Sequence, residues 1–501
     1  MDKLTHAWWG TLLISWIAVV VPLWIALWQG HAKLRQWVVS PLVAVGLEVV
    51  AGIAAWFIGL PFAREGIGQA IVGIGCCIGI GYGTGRFVTR PPPGDTHIRG
   101  ALVEGSWEEP GVTDGLRKPR EGMLTLAGVP IGAEDEAKHF KIIGEMEAGR
   151  PAVIRDLLTG VLSRGDRAVI ADADGGYQAR FYDASRGDVI LNPLDTDAVQ
   201  WDIFGEITPS YDVEHLAEAL IPLGEGLSQG ERFYARAFFT AAMRHCLLNG
   251  KPDSGELWRL LSGASHEELK PVVADTPVSP LLKQGDATVF GAVRSIVTSA
   301  VGVLEPVKNR HEQHLSVRQW FGSGRGSLFI PYRTRQVDRS RVIIPSWIKM
   351  AMFETLSVPE GMDARLWFFI DPLDELSAID GLQRMLAPLQ RSGGRCVVGF
   401  GSTAELSRIY GWAGAQAIIE SCRNTVILRC PAGEDRGTSR LASDLIGARE
   451  VLRSVRGRET VTSRFVTEYA VLASEIEQLP DLTGFLTVVS GREWRRVRFR
   501  S

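Results

Sequence analysis

His139-Phe140-Lys141-Ile142-Ile143-Gly144-Glu145-Met146-Glu147-Ala148-Gly149-Arg150-Pro151 is the stretch from which the rest of the chain can be read. Phe140 to Ile143 reads as a short buried strand, and Gly144 opens a turn. A helical pattern follows from about Ala152. It has apolar residues at Val153, Ile154, Leu157, Leu158, Val161 and Leu162, and Gly165 closes it. Strand, loop and helix in this order form the frame of a phosphate-binding loop, G-x-x-x-x-G-K-[ST]. In that pattern backbone N–H groups cradle phosphates, the lysine reaches them, and the hydroxyl ligates magnesium. Gly144 and Gly149 stand at its two glycines. Its last two positions hold Arg150 and Pro151.

Downstream, Arg167–Asp172 and Val189–Asn192 are further short apolar strands, so the pattern is βαβ and predicts a mainly parallel sheet covered by helices. From about Ser210 to Leu315 the apolar residues take helical spacing (Leu216, Leu220; Phe238, Ala242, Cys246; Leu257, Leu260, Leu261), which predicts an inserted all-α domain. Strand-like runs return at Gly326–Pro331, Leu366–Ile370, Cys396–Gly399 and Asn424–Leu428, as a second half of the same sheet. Leu366–Ile370 ends in Asp371. A doubly buried strand that delivers an acid at its carboxyl end has the form of a Walker B strand, which makes Asp371 a candidate magnesium ligand.

The chain has 501 residues and a formal net charge of -3, so no global basic signal points to nucleic acid. Its six cysteines form no C-x-x-C and no zinc spacing, and read as reduced structural thiols. Ala7–Trp28 carries no charge, is long enough to cross a bilayer core of roughly 30 Å, and has tryptophans near both ends. A second apolar zone, Trp37–Gly85, is broken by Arg64 and Glu65. Its Gly75, Gly79 and Gly83 would let another helix approach closely. Two or three spans are expected, with Arg86, Arg90 and Arg99 on the cytoplasmic side. Pro91–Asp95 reads as a stiff linker. The expected division is 1–90 transmembrane anchor, 91–210 nucleotide-binding domain first part, 211–315 all-α insert, and 316–501 nucleotide-binding domain second part.

In this order of parts the chain resembles the coupling proteins of type IV secretion and conjugation systems, the TraD/TrwB class of FtsK-like, RecA-type ATPases. The resemblance rests on His97–Gly100, Lys138–Gly144, Arg167–Asp172 with Asp174–Tyr177, Leu191–Pro193, and Trp201–Phe204. It continues at Leu315–Trp320, Leu366–Leu376, Ser474–Pro480 and Gly484–Leu486. It implies a RecA-like fold with N-terminal transmembrane helices, and a multi-pass protein of the bacterial inner membrane with its soluble part in the cytoplasm. It also implies a homo- or mixed hexamer. The implied partners are single- or double-stranded DNA or a relaxase–DNA complex, and components of the secretion channel. The implied cofactors are ATP and magnesium, held by Gly144, Gly149, Arg150, Pro151 and Asp371.

Against the family pattern, four positions that carry nucleotide chemistry depart. Arg150 replaces the phosphate lysine, and its planar guanidinium is bulkier than an ammonium. Pro151 lacks both the metal-binding hydroxyl and a backbone N–H, although proline suits a first helical turn. Pro372 stands at the catalytic glutamate, with Glu375 three residues on, and Gly401 at a glutamine expected to sense the γ-phosphate. Glu147 replaces a family glycine beside Glu145. A carboxylate about 5 Å from a phosphate charge is repelled by roughly 3 kcal/mol at an effective dielectric of 20. The expectation is a coupling-protein homologue with impaired ATP hydrolysis. The alternatives are an active translocase that uses Arg150 and Glu375, and a non-catalytic membrane decoy. Arg492–Arg500 is basic with interleaved aromatics, which suits either a nucleic-acid grip or an edge strand with one solvated face. Arg333, Arg335, Arg339 and Arg341 read as an exposed basic loop, and His245 beside Cys246 as a packed helix position.

Overall fold

Alternation within the apolar runs builds the centre of the fold. Leu366, Phe368 and Ile370 face one hydrophobic cluster, while Trp367 and Phe369 face another, as the two-residue period of a doubly buried strand requires. The computed structural model describes residues 2–29, 37, 39–47, 49, 67–88, 96–105, 122–192, 199–207, 212–222, 229–250, 252–282, 287–305, 314–333, 342–359, 365–432, 437–456, 461–491 and 493–500. Pro91–Asp95, the break at Arg64 and Glu65, and Arg335, Arg339, Arg341 and Arg492 lie outside them. Contacts divide the chain into one unit of residues 1–98 with 450–466, and another of 99–449 with 467–501.

In the first unit the helices Asp2–Gln29 and Ile67–Val88 pack together. Val19, Leu23 and Leu27 are buried there with Ala44. The glycines that permit the approach are not those the four-residue spacing selects. A Cβ at Gly75, Gly79 or Gly83 would meet nothing within 4 Å, whereas one at Gly81 would lie 2.1 Å from the Val19 carbonyl oxygen. One at Gly85 would lie 2.6 Å from the Ala26 Cβ. Among the described residues no helix is long and apolar enough to cross a membrane. The expected spans are therefore not borne out, since the described side chains of the first helix begin only at Ile14. Those that are described leave an apolar face outward, including Ile14, Trp16, Val21 and Trp28.

The strands in chain order are β1 (Thr96–Gly100), β2 (Val103–Glu104), β3 (Leu124–Leu126), β4 (Val129–Ile131), β5 (Phe140–Ile143), β6 (Arg167–Ala173), β7 (Val189–Ile190), β8 (Gln200–Trp201) and β9 (His314–Leu315). They continue as β10 (Leu328–Tyr332), β11 (Leu366–Asp371), β12 (Gly394–Phe400), β13 (Asn424–Ile427), β14 (Ala448–Arg456), β15 (Val461–Tyr469), β16 (Thr483–Thr487) and β17 (Trp494–Arg498). The second unit is built on a ten-stranded sheet of order β2-β17-β16-β13-β5-β12-β11-β6-β10-β7. From β13 through β5, β12, β11, β6 and β10 to β7 every pairing is parallel. The β13–β16 and β16–β17 pairings are antiparallel and β17–β2 is parallel, so the sheet is mixed and, as expected, mainly parallel. The Arg150–Ser163 helix and the β3–β4 hairpin cover one face.

On the other face lie Ile343–Leu356, Leu382–Arg391 and Thr403–Ser421. The helical stretch includes Asp212–Leu220, Gln229–Leu248, Ser254–Ser262 and Ala287–Ala300. Its apolar residues join the same cluster as Leu366, Phe368 and Ile370, and it belongs to the same compact unit as the sheet.

Glu206 joins the segments that enter and leave this stretch. Its carboxylate accepts hydrogen bonds from Trp201 Nε1 at 2.8 Å, Val317 N at 2.6 Å and Arg318 N at 3.1 Å. Burial outweighs these donors and raises its pKa to about 7 from 4.5. A raised folded-state pKa gives stability that is fully present below the unfolded value and lost as pH rises through the folded one. Between pH 4.5 and about 7 the protein is expected to lose about 3 kcal/mol through this group. Denaturant titrations across that window check it, since Glu206→Gln removes that part of the slope.

Candidate functional site

Four strand ends place the residues of the site. β5 runs into the glycine loop, β6 carries Asp172 one residue before its end, β11 ends at Asp371, and β12 leads to Gly401. All four strands are parallel, so their carboxyl ends open on one edge, where open α/β sheets bind ligands. The Gly144 N–H donates to the Phe400 carbonyl at 3.1 Å, and the Glu145 N–H to the Arg429 carbonyl at 2.9 Å. Gly149 caps the helix with φ of 111°, and a Cβ there would come within 2.8 Å of Leu482 Cδ2, so both backbone and space call for glycine.

Two N–H groups of the loop bond within it. The Ala148 N–H donates to the Glu145 carbonyl at 3.3 Å and the Gly149 N–H to the Met146 carbonyl at 3.2 Å. A loop that cradles phosphate turns such groups outward. The two glutamates point elsewhere: Glu145 pairs with Arg429 at 3.2 Å, which also binds Asp481 at 2.5 Å, and Glu147 is exposed.

The helix begins at Arg150, with Pro151 in its first turn. The Arg150 side chain does not extend into solvent. Its Nη1 donates to the Gly144 carbonyl at 3.1 Å, and its Nε lies 2.9 Å from Asp371 Oδ1. Both side chains are buried, at 3 % and 4 % exposure. The guanidinium thus lies between the loop and the acid of the Walker-B-like strand. Burial raises the Asp371 pKa, Arg150 opposes the rise, and Asp374 adds to it. Gly399 makes room for this carboxylate, because a Cβ there would fall 2.0 Å from Asp371 Oδ1.

Asp374 Oδ2 accepts from Gly401 N at 2.9 Å and Ser402 N at 2.8 Å. Asp371 Oδ1, Asp374 Oδ1 and the buried Tyr332 hydroxyl make no hydrogen bond. The Arg150–Asp371 contact is therefore an ion pair without hydrogen-bond alignment. Asp172 stands in register beside Asp371, accepts from Tyr177 N at 3.1 Å and Gln178 N at 2.6 Å, and is pushed by burial to about 6. Glu375 is also raised, by burial first and then by Asp374.

Gly401 completes the arrangement. A Cβ there would lie 3.3 Å from Arg150 Nη1 and 3.4 Å from the Gly144 carbonyl oxygen, so the small residue leaves space for the large cation. Gly401→Gln is expected to destabilise the native chain by about 1–3 kcal/mol through overpacking. It should be nearly neutral in an Arg150→Lys background. A double-mutant cycle by urea denaturation reads this coupling, and additive effects would argue against it.

The structure therefore gathers Gly144, Gly149, Arg150, Pro151, Asp371, Pro372 and Gly401 at one edge. Asp374, Tyr332 and Gly399 belong there too. Asp374 is signalled only by standing three residues after Asp371, and Tyr332 by no local pattern, since β10 reaches the site through the sheet order. Other candidates resolve simply. His245 lies 2.8 Å from Asn249 Nδ2 on a helix whose Cys246 is buried, and all six cysteines are free. Arg333 is exposed. β17 is no edge strand, because it pairs with both β16 and β2, and its Trp494 and Val497, with Phe499 just beyond, turn into the core.

Residues 123–500 match the family described as the type IV secretion-system coupling protein DNA-binding domain. The chain is 26 % identical to the coupling protein TraD of Escherichia coli (strain K12) over 389 residues, which cover 74 % of this chain and 53 % of TraD. It thus spans about half the length of that curated relative. Among solved structures it is similar to the bacterial conjugative coupling protein TrwBdeltaN70 in its unbound form, with a TM-score of 0.68 and 28 % identity over 76 % of this chain and 89 % of that one. The plasmid coupling protein TrwB in complex with ADP and magnesium gives a TM-score of 0.69 and 28 % identity over 82 % and 95 %. With the family's domain spanning most of its length, the chain belongs to the type IV secretion-system coupling proteins.

Proposed function

We infer that the protein is a coupling protein of conjugative or type IV secretion DNA transfer that receives DNA or protein substrates without hydrolysing ATP at the Gly144–Pro151 loop. The observation that carries this reading is the Arg150 guanidinium folded onto Asp371 Oδ1 at 2.9 Å. A magnesium–nucleotide would need that space and that carboxylate. The residues present do not fit the pair. Asp371 is engaged by a fixed cation, Pro151 offers no hydroxyl, and the N–H groups of Ala148 and Gly149 are satisfied within the loop. Among the described residues no cluster of three metal-ligating side chains occurs.

The similar TrwB chain was solved with ADP and magnesium. The reading here is that this chain keeps the frame of such a site and has filled it from within. Family membership and the outward apolar face of the first helix support an inner-membrane position, since exposed apolar patches of this kind mark lipid or partner contact. The chain then works in a homo- or mixed hexamer, with the 211–315 helices as an insert between the two halves of the nucleotide-binding domain. The test is ATP turnover by the detergent-solubilised full chain with single-stranded DNA. Turnover above a blank, abolished by Asp371→Asn or Glu375→Gln, would replace this reading with an active translocase.

A further inference from the structure

The arginines of the C-terminal strand take part in a second basic feature, away from the glycine loop. With Trp494, Val497 and Phe499 turned inward, Arg498 and Arg500 are left on the outer side. There they line a cavity of about 330 Å³ together with Arg155 of the Arg150–Ser163 helix and Arg180 of the Gly176–Phe181 helix. The β3–β4 hairpin closes another side through Thr125 and Gly128. Two helices and the C-terminal strand thus bring four permanent positive charges to one concavity.

Several arginines elsewhere have carboxylate partners. Arg164 is held by Glu136 and Asp166, Arg259 by Glu256 and Glu268, and Arg429 by Glu145 and Asp481. Among the described residues none of Arg155, Arg180, Arg498 and Arg500 has an ion-pair partner. The carboxylate that lines the cavity is Asp156, and its Oδ2 is already committed to the Ala127 N–H at 2.7 Å. Burial raises its pKa while the Ala127 N–H and Arg500 oppose the rise, so Asp156 offsets part of the charge of Arg500 and the four arginines outnumber it. Four guanidiniums cannot lose their protons, and they repel one another until an anion enters.

We propose that this cavity is a binding site for a small polyphosphate-bearing molecule, a nucleoside di- or triphosphate or pyrophosphate, separate from the Gly144–Pro151 loop. Guanidinium forks match phosphate oxygens in pairs, and several of them around one anion favour a multiply charged ligand over a single carboxylate. The volume is at the small end of ligand pockets and is walled by helix, hairpin and strand, which suits a compact phosphate chain better than a continuous nucleic-acid track. Bound there, the anion would tie the C-terminal strand to the Arg150–Ser163 helix.

The test uses the detergent-solubilised full chain and inorganic tripolyphosphate without magnesium. The expected result is a saturable rise in melting temperature. Arg155→Gln and Arg498→Gln should each weaken half-saturation at least about tenfold, the scale of losing one charge-assisted contact. Pro151→Ala, which touches the loop and not the cavity, should leave it unchanged. A second readout separates ligand binding from a structural role: without ligand, Arg498→Gln and Arg180→Gln should melt at or above the native temperature, because they relieve repulsion. The proposal is overturned by any of three outcomes: no shift with tripolyphosphate, a shift retained in the arginine variants, or a shift produced by single-stranded oligonucleotide alone. A lower ligand-free melting temperature in both Arg498→Gln and Arg180→Gln would also count against it, since these charges would then be serving the fold.

Discussion

Asp371→Asn is expected to lower the unfolding free energy of the full chain by about 3–5 kcal/mol, whereas the pair Arg150→Met with Asp371→Leu should recover most of that loss. The reason is the burial of both partners, at 3 % and 4 % exposure, with Nε 2.9 Å from Oδ1. Removing the carboxylate leaves a guanidinium that can neither reach water nor lose its proton. Replacing both groups by apolar side chains removes the charge and its desolvation together. Arg150→Met alone should be milder, because Asp371 can take up a proton.

That difference has a pH signature. Burial already raises the Asp371 pKa against the pull of Arg150, and loss of Arg150 raises it further. A raised folded-state value means stability that is complete below the unfolded pKa and lost as pH rises through the folded one. Arg150→Met should therefore gain stability on acidification relative to the native chain, and Asp371→Asn should not. Urea denaturation at several pH values reads both effects. Additive single-mutant losses, or a pH-independent Arg150→Met, would show that the contact contributes nothing as a pair.

Magnesium–ATP should leave the native chain's melting temperature nearly unchanged and support no DNA-stimulated turnover. Ligand-linked stabilisation grows as RT ln(1 + [L]/Kd), so a ligand below its dissociation constant contributes less than about 0.4 kcal/mol. For a unit of this size that is about 1 °C or less. An active phosphate loop at a hundredfold saturation would contribute about 2.7 kcal/mol. Restoring lysine alone, as Arg150→Lys, should not recover turnover. Pro151 still lacks the metal hydroxyl, Pro372 still lacks a carboxylate, and the self-bonded loop remains. A magnesium-dependent shift of several degrees in the native chain, lost in Asp371→Asn, would be the contrary result. Tripolyphosphate stabilisation without magnesium belongs to the arginine cavity, so the two sites are separable by metal dependence and by Arg155→Gln.

Much of the site was legible locally. The glycine spacing around residues 144–149 and the acid at the end of Leu366–Ile370 are short-range patterns, and both lie where those patterns predict. The substitutions at Arg150, Pro151, Pro372 and Gly401 were equally visible as residues. Their relation was not. That Gly401 leaves room for Arg150 depends on β12 lying between β5 and β11, a consequence of sheet order rather than of neighbouring sequence. The glycines of the Ile67–Val88 helix teach the same point. Spacing alone selected Gly75, Gly79 and Gly83, but the rotation of that helix against its partner brought Gly81 and Gly85 to the contact.

What the sequence determined by itself is the class of fold and the family, because alternating burial and loop glycines are set by each strand's own residues. Only the tertiary structure decided what Arg150 does. Read alone, it is a poor replacement for lysine. In the fold it bridges the Gly144 carbonyl and Asp371, since parallel strands far apart in the chain open on one edge and leave a buried cation its nearest counter-charge there.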